Sequence, residues 1–161
     1  MPEQPRSVAI DAATITPRTP TKMQPFAAKT VGREKRALGA PFGLTNFGAN
    51  LVRLRPGAVS ALRHAHSRQD ELVYVIEGEP TVITDAGETP LRPGMCVGFK
   101  AGTGDAHHIV NRSEADAVYL EVGDRSFPDH VTYPEDDVVA ESDANGVWRY
   151  TKKDGTLIVE P

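Results

Sequence analysis

Four of the five histidines in this chain fall in two short clusters, His64-Ala65-His66 and His107-His108. Side chains alternate between faces in a β-strand, so His64 and His66 share one face, with Cα atoms about 6.6 Å apart. Two imidazoles at that separation can converge on one ion. Glu71 opens a β-rich run, Glu71-Leu72-Val73-Tyr74-Val75-Ile76. The same alternation puts Glu71, Val73 and Val75 on one face and Leu72, Tyr74 and Ile76 on the other. A glutamate at a barrel mouth above two valines is tolerable when a cation compensates its charge. Taken alone, His-Ala-His also fits two surface histidines near a loop. The carboxylate, the turn glycine Gly78 and the distal histidine His107 strengthen the metal reading.

The elements that must position these groups are short strands. Leu51–Leu54 reads as a strand ended by Pro56-Gly57, and Glu71–Ile76 as another ended by Glu77-Gly78. Thr81–Thr84 and Glu88–Leu91 flank the hairpin turn Asp85-Ala86-Gly87. Met95–Lys100, His107–Asn111 and Ala117–Val122 complete the series. Short, regularly spaced strands with Gly and Pro between them predict an all-β barrel or sandwich. Before them lies a proline-rich extended arm, carrying Pro2, Pro5, Pro17, Pro20 and Pro25. Ile10, Ile15 and Phe26 give the arm something to bury, on its own chain or on a partner subunit. Val31–Leu38 is the one stretch there that reads as a short helix. After Asp124 the chain turns acidic and irregular, and Glu135-Asp136-Asp137 reads as a solvated tail, not a lid. Val147–Tyr150 and Leu157–Val159 predict a short terminal hairpin, with Trp148 packed on the barrel.

Gly57…His64-Ala65-His66…Glu71…Gly78 resembles the first motif of the cupin superfamily, G-x5-HxH-x3–4-E-x6-G. Gly94…Gly104-Asp105-Ala106-His107…Asn111 is similar to the second, G-x5-PxG-x2-H-x3-N. Two departures stand out: six residues separate Gly57 from His64 in place of five, and Gly102-Thr103-Gly104 replaces the usual PxG. The resemblance covers roughly residues 45 to 123 and extends to a group of small bacterial single-domain cupins, some of them labelled sugar-isomerase-like. It implies a double-stranded β-helix, a jelly-roll cupin barrel. The expected organisation is an N-terminal arm over 1–40, the barrel with both motifs over 41–125, and a C-terminal extension over 126–161 packing on the barrel. It also implies a ligand set of His64, His66, Glu71 and His107. Three imidazoles and a carboxylate suit Zn, Mn, Fe, Ni, Co or Cu and not Mg or Ca, which take oxygen ligands. Glu71 would double as ligand and proton acceptor, the one catalytic residue expected.

The neighbouring groups divide by register. The motif count selects Glu71 over Asp70, which faces outward. His108 points away from His107. Asn111 shares its face and fixes that strand or a ligand. His130 reads as exposed, and Cys96 as buried and inert. Arg53, Arg55, Arg63 and Lys100 are candidates for anion recognition at the barrel mouth, or solvated surface.

Lys plus Arg is 18 and Asp plus Glu is 22, a net charge of −4, which argues against a general nucleic-acid binder. A single cysteine excludes an internal disulfide. No apolar run approaches the ~20 residues of a membrane span, and Met1–Thr30 lacks the apolar core of a signal peptide. The expectation is a cytoplasmic homodimer acting on a small molecule, with no nucleic-acid or membrane partner. The first reading is a metalloenzyme of isomerase, lyase or dioxygenase type; the alternative is a non-catalytic small-molecule binding or sensing barrel.

Overall fold

The structure, a computed structural model, describes residues 8–18 and 20–159. Pro2 and Pro5 of the expected arm lie outside the described residues. A 3-10 turn (Ala12–Thr14) and one turn of α-helix, α1 (Phe26–Lys29), precede twelve strands. These are β1 (Arg33–Ala37), β2 (Phe47–Leu54), β3 (Ala65–His66), β4 (Glu71–Glu77), β5 (Thr81–Thr84) and β6 (Gly87–Pro90). They continue with β7 (Cys96–Phe99), β8 (His108–Val110), β9 (Ala117–Asp124), β10 (His130–Thr132), β11 (Val139–Ser142) and β12 (Trp148–Thr151). One sheet runs β1-β2-β9-β4-β7; facing it are β12-β11-β10-β3 and β6-β5-β8. The last two are stitched together where His64 N–H donates to His107 O at 3.1 Å and His107 N–H donates to His64 O at 2.8 Å. All the strand pairs are antiparallel. The chain is an all-β jelly-roll barrel, as its sequence predicts.

The alternation on β4 decides which face is core. Val73 and Val75 are buried, while Leu72, Tyr74 and Ile76 are each more than two-fifths exposed. Val52, Leu54, Val82, Ile109 and Tyr119 join the two valines in the main core. A second core forms around Leu62, Val131, Tyr133, Val138 and Ala140. Phe26 enters it edge-on to Tyr133 and Tyr150, each at 5.6 Å between ring centroids. The described part of the arm therefore packs on its own chain, and Arg18 N–H donates to Lys35 O at 2.9 Å.

Three local expectations change. Val31–Leu38 is not helical: Arg33–Ala37 pairs along its length with Asn50–Leu54. Its residues are good helix formers, but the open edge of β2 offers a complete ladder, and tertiary pairing overrides propensity. The helical turn lies earlier, at Phe26–Lys29. Cys96 is exposed, not buried. It pairs with Tyr74 across β4 and β7, and Tyr74 faces outward, so Cys96 must too. The acidic run is not a solvated tail: Asp136 is buried and bonded to Lys29 Nζ at 2.7 Å. Strands β10 and β11 flank it, bringing Val131 and Ala140 into the second core.

Gly78 carries the tightest turn. Its φ is +76°, and a Cβ there would stand 2.5 Å from Asp116 O and 2.8 Å from Ala117 Cα. Gly104 has a similar φ of +78° with nothing within 4 Å. Gly78→Ala is expected to destabilise the barrel by roughly 3 kcal/mol, and Gly104→Ala by only about 1 kcal/mol. Chemical denaturation of the two variants checks this; equal losses would contradict the steric account.

Candidate metal centre

The bridge between His64 and His107 brings the two histidine clusters to the same place. His64 and His66 project from the entry and body of β3, Glu71 from the start of β4, and His107 from just before β8. His64, His66 and Glu71 each offer one ligand atom, all within 4.8 Å of one another. Glu71 Oε2 is the centre: it lies 2.8 Å from His107 Nε2, 3.5 Å from His64 Nε2 and 3.7 Å from His66 Nε2. The ring of His107 stacks flat on Phe99 at 3.5 Å between centroids. Phe99 pairs with Glu71 across β4 and β7, so one strand pair holds both the carboxylate and the platform for His107.

The hydrogen bonds behind the rings set the tautomers. His64 Nδ1 lies 2.8 Å from Leu62 O, a group that only accepts, so Nδ1 carries the proton. His66 Nδ1 lies 2.6 Å from Asp129 Oδ2. Asp129 has no exposed side-chain surface. Burial pushes its carboxyl up, but bonds from His66, Ser67 Oγ and Arg68 N–H outweigh that and hold it below its usual range. An ionised Asp129 accepts a hydrogen bond from Nδ1–H of His66. In neutral His64 and His66, Nε2 is then a bare lone pair directed at the carboxylate. In that state the two rings offer acceptors to an acceptor, and Glu71 Oε2 is buried with no well-aligned hydrogen bond.

Such a meeting point needs a cation. Burial pushes the Glu71 carboxyl up, yet contacts with His107 and His64 and the charge of His66 prevail and hold it below its usual range. Burial lowers His64, but Glu71 outweighs it and the imidazole moves up. For His107 burial wins and the imidazole moves down. The donor set of imidazole nitrogens around a carboxylate oxygen fits a divalent transition metal, with His64, His66, Glu71 and His107 as the candidate ligands. Asp129 behind His66 is the carboxylate that such ligating histidines commonly lean on.

The remaining candidates fall outside this cluster. Asp70 is exposed and accepts from Ala101 N–H at 2.7 Å. His108 turns its Nδ1 to Ala61 O at 3.2 Å. Asn111 is fully buried and donates to Leu54 O and Ala115 O, fixing the end of β8 and not a ligand. His130 is exposed, with Glu141 3.1 Å away on the neighbouring strand. Arg53 pairs with Asp116, Arg55 with Glu34, and Arg63 with Asp85 and Glu135. Sequence reasoning did not find Asp129, Phe99 or the polar group Lys35, Asn50, Tyr119 and Glu121 inside the barrel. For Asp129 no local signal exists, since it sits in an irregular acidic stretch. Period-two alternation through Ala117–Val122 would have turned Glu121 and Tyr119 inward with Val73 and Val75.

Asp129→Asn is expected to weaken zinc affinity by about 10–100-fold with the barrel still folded. His66→Ala should lower metal content further. Affinity should also fall with pH, because imidazoles must be deprotonated to bind, so protons compete increasingly below about pH 6.5. Zinc titration calorimetry at pH 7.5 and 6.0 measures both effects. Unchanged binding in both variants would overturn the ligand assignment.

Residues 50–123 match the family model described as a cupin domain. A solved structure from Silicibacter pomeroyi DSS-3, a sugar phosphate isomerase from a cupin superfamily, is 40% identical, with a TM-score of 0.82. That match covers 94% of this chain and 96% of the other. A protein of Acidithiobacillus ferrooxidans, provisionally called a sugar phosphate isomerase, is 29% identical with a TM-score of 0.70, covering 80% of this chain and 81% of its own. A polyketide cyclase from Streptomyces resistomycificus, 17% identical with a TM-score of 0.59 over 75% of this chain and 82% of its own, shares the fold alone. No curated protein matches the sequence. With both motifs in place on a jelly-roll barrel, and with these matches, the chain belongs to the cupin superfamily.

Proposed function

We propose that the chain is a cytoplasmic metalloenzyme of isomerase type, acting on a small polyhydroxylated substrate. Its divalent transition metal would be held by His64, His66, Glu71 and His107. The observation that carries this reading is the convergence of the Nε2 atoms of His64, His66 and His107 on Glu71 Oε2, a buried oxygen with no well-aligned hydrogen-bond partner. The 40% identity to a sugar phosphate isomerase supports the substrate class.

When bound, the ion would supply Lewis-acid polarisation of a substrate carbonyl or hydroxyl. The protein's own groups do the rest. Asp129 and Leu62 O fix the orientation of His66 and His64, and Phe99 fixes the plane of His107. Glu71 Oε1 lies 3.9 Å from where a Cβ on Gly123 would stand, while the nearest imidazole contacts are made by Oε2. Oε1 is placed to take a proton from substrate. Tyr119 lines a small cavity with His64, Glu71 and His107. Burial, reinforced by Glu121, pushes its hydroxyl well above the usual range, so it stays a donor.

The oligomer belongs to the same proposal. Leu72, Tyr74 and Ile76 stand on the outer face of the five-stranded sheet. Val122 and Leu120 lie opposite Leu72 and Tyr74 on β9, and Cys96 lies opposite Tyr74 on β7. This apolar face is what a second copy would cover in a homodimer.

Untagged protein purified without chelator is expected to hold near-stoichiometric transition metal by elemental analysis. Glu71→Gln should reduce turnover of an isomerisable sugar or sugar phosphate by about 100-fold or more. Absence of metal even after reloading would remove the enzyme reading. Ligand binding that survives both Glu71→Gln and metal removal would instead describe a sensing barrel. Separately, Tyr74→Glu should convert a dimer to a folded monomer in sedimentation velocity, and a monomeric parent protein would refute the interface.

A further inference from the structure

A second cavity, of about 170 Å3, adjoins the candidate metal centre on the other side of Glu71. Its walls come from the arm, the start of β2, the end of β9 and the loop after it. The charged groups around it are unevenly satisfied. Glu121 is paired with Lys35. Asp124 accepts from the backbone N–H groups of Asp70 and Ser126. Glu71 faces the imidazoles. Arg18 and Arg125 are the cations lining this cavity, and among the described residues neither guanidinium has an ion-pair partner. Arg125 Nη2 lies 3.8 Å from where a Cβ on Gly48 would stand, so the missing side chain at Gly48 leaves it room over β2.

A neutral group adds a second, independent observation. Asn50 lines the same cavity and is only 6% exposed. Its Nδ2 donates to Glu121 Oε1 at 3.3 Å, which orients the amide, but its Oδ1 is buried without a donor. A buried acceptor left open beside a cavity is matched by a hydroxyl. Trp148 and Phe127, edge-on at 6.3 Å, supply an apolar wall.

We propose that this cavity is the substrate's recognition subsite and that it takes a phosphomonoester of a polyhydroxylated compound. Arg18 and Arg125 hold the phosphate, and a small rotation of the Asn50 amide brings its open Oδ1 to a substrate hydroxyl. The reacting end then lies toward Glu71. Two guanidiniums from separate chain segments match the nearly two negative charges and three oxygens of a phosphomonoester better than a single carboxylate. The assignment deepens the isomerase reading and rests on it for the reacting end alone. The phosphate site stands on Arg18, Arg125 and Asn50.

Trp148 is the only tryptophan in the chain, so its fluorescence reports directly on this cavity. The experiment titrates full-length protein purified without chelator with D-ribose 5-phosphate and D-glucose 6-phosphate, each against its free sugar and its sugar acid. Calorimetry is run in parallel. At least one phosphate is expected to bind about tenfold or more tightly than its sugar and its acid. Arg18→Gln and Arg125→Gln should each reduce that preference about fivefold or more, with sugar affinity and thermal midpoint unchanged. Raising the salt should shrink the preference as well. Four results would overturn the subsite: no binding, equal binding of phosphate and sugar, equal binding of the acid, or a preference that survives both substitutions. Metal content of the same samples separates the two readings. A metal-free protein whose phosphate preference depends on the arginines sinks the metalloenzyme and keeps the subsite. A metal-loaded protein with no arginine dependence does the reverse.

Discussion

The reciprocal backbone bonds between His64 and His107 are the constraint on which the site depends. These residues are 43 positions apart in the chain. Neither lies in a regular strand, yet their bridge joins the sheet that ends in β3 to the sheet that ends in β8. Without it the two histidine clusters would belong to separate sheets with no fixed spacing. With it, the rings of His64 and His107 come to 4.7 Å between centroids. Glu71 arrives from the opposite sheet, so the three elements meet across the barrel and not along one strand.

That geometry places ionisable groups where an apolar core would be cheaper. The main core of valines and leucines fills one end of the barrel, and the second core lies on the far side of the imidazoles. Between them the inward positions of β1, β2 and β9 carry Lys35, Asn50 and Glu121. Lys35 and Glu121 neutralise each other while still lying close to Glu71 in space. Burying such a pair gives little net stability, because desolvation offsets most of the Coulomb attraction. Its effect is to orient Asn50 and to keep Glu121 from competing with Glu71 for a cation. The barrel thus gives up some apolar burial at one end for a polar interior continuous with the site.

Much of this was legible in sequence, for physical reasons. Alternation at period two places Glu71, Val73 and Val75 inward, and one buried face leaves no freedom of register. Glycine turns mark strand ends because few other residues take φ near +76°. The rest was illegible where tertiary context decides. Arg33–Ala37 reads as helix by propensity but completes a sheet edge. Cys96 reads as buried because its strand is apolar; its orientation is set by its partner Tyr74 and not by its neighbours. Asp129 belongs to a stretch whose acidity suggests solvent. Only the pairing of β10 with β3 reveals that it lies behind His66.

Asp129 also shows why the chain after residue 125 is bound to the chemistry. Its carboxylate takes three donors from the His66–Arg68 segment, and its own N–H donates to Ser142 Oγ at 2.8 Å. Ser142 pairs with Trp148 across β11 and β12, and Trp148 lines the cavity on the far side of Glu71. A continuous path of hydrogen bonds and strand pairing therefore runs from one candidate metal ligand, through a buried carboxylate, to the wall of the neighbouring cavity. Loosening β11–β12 would disturb both ends together, the orientation of His66 and the shape of the cavity. The C-terminal strands are thus as much a part of the site as the two histidine motifs.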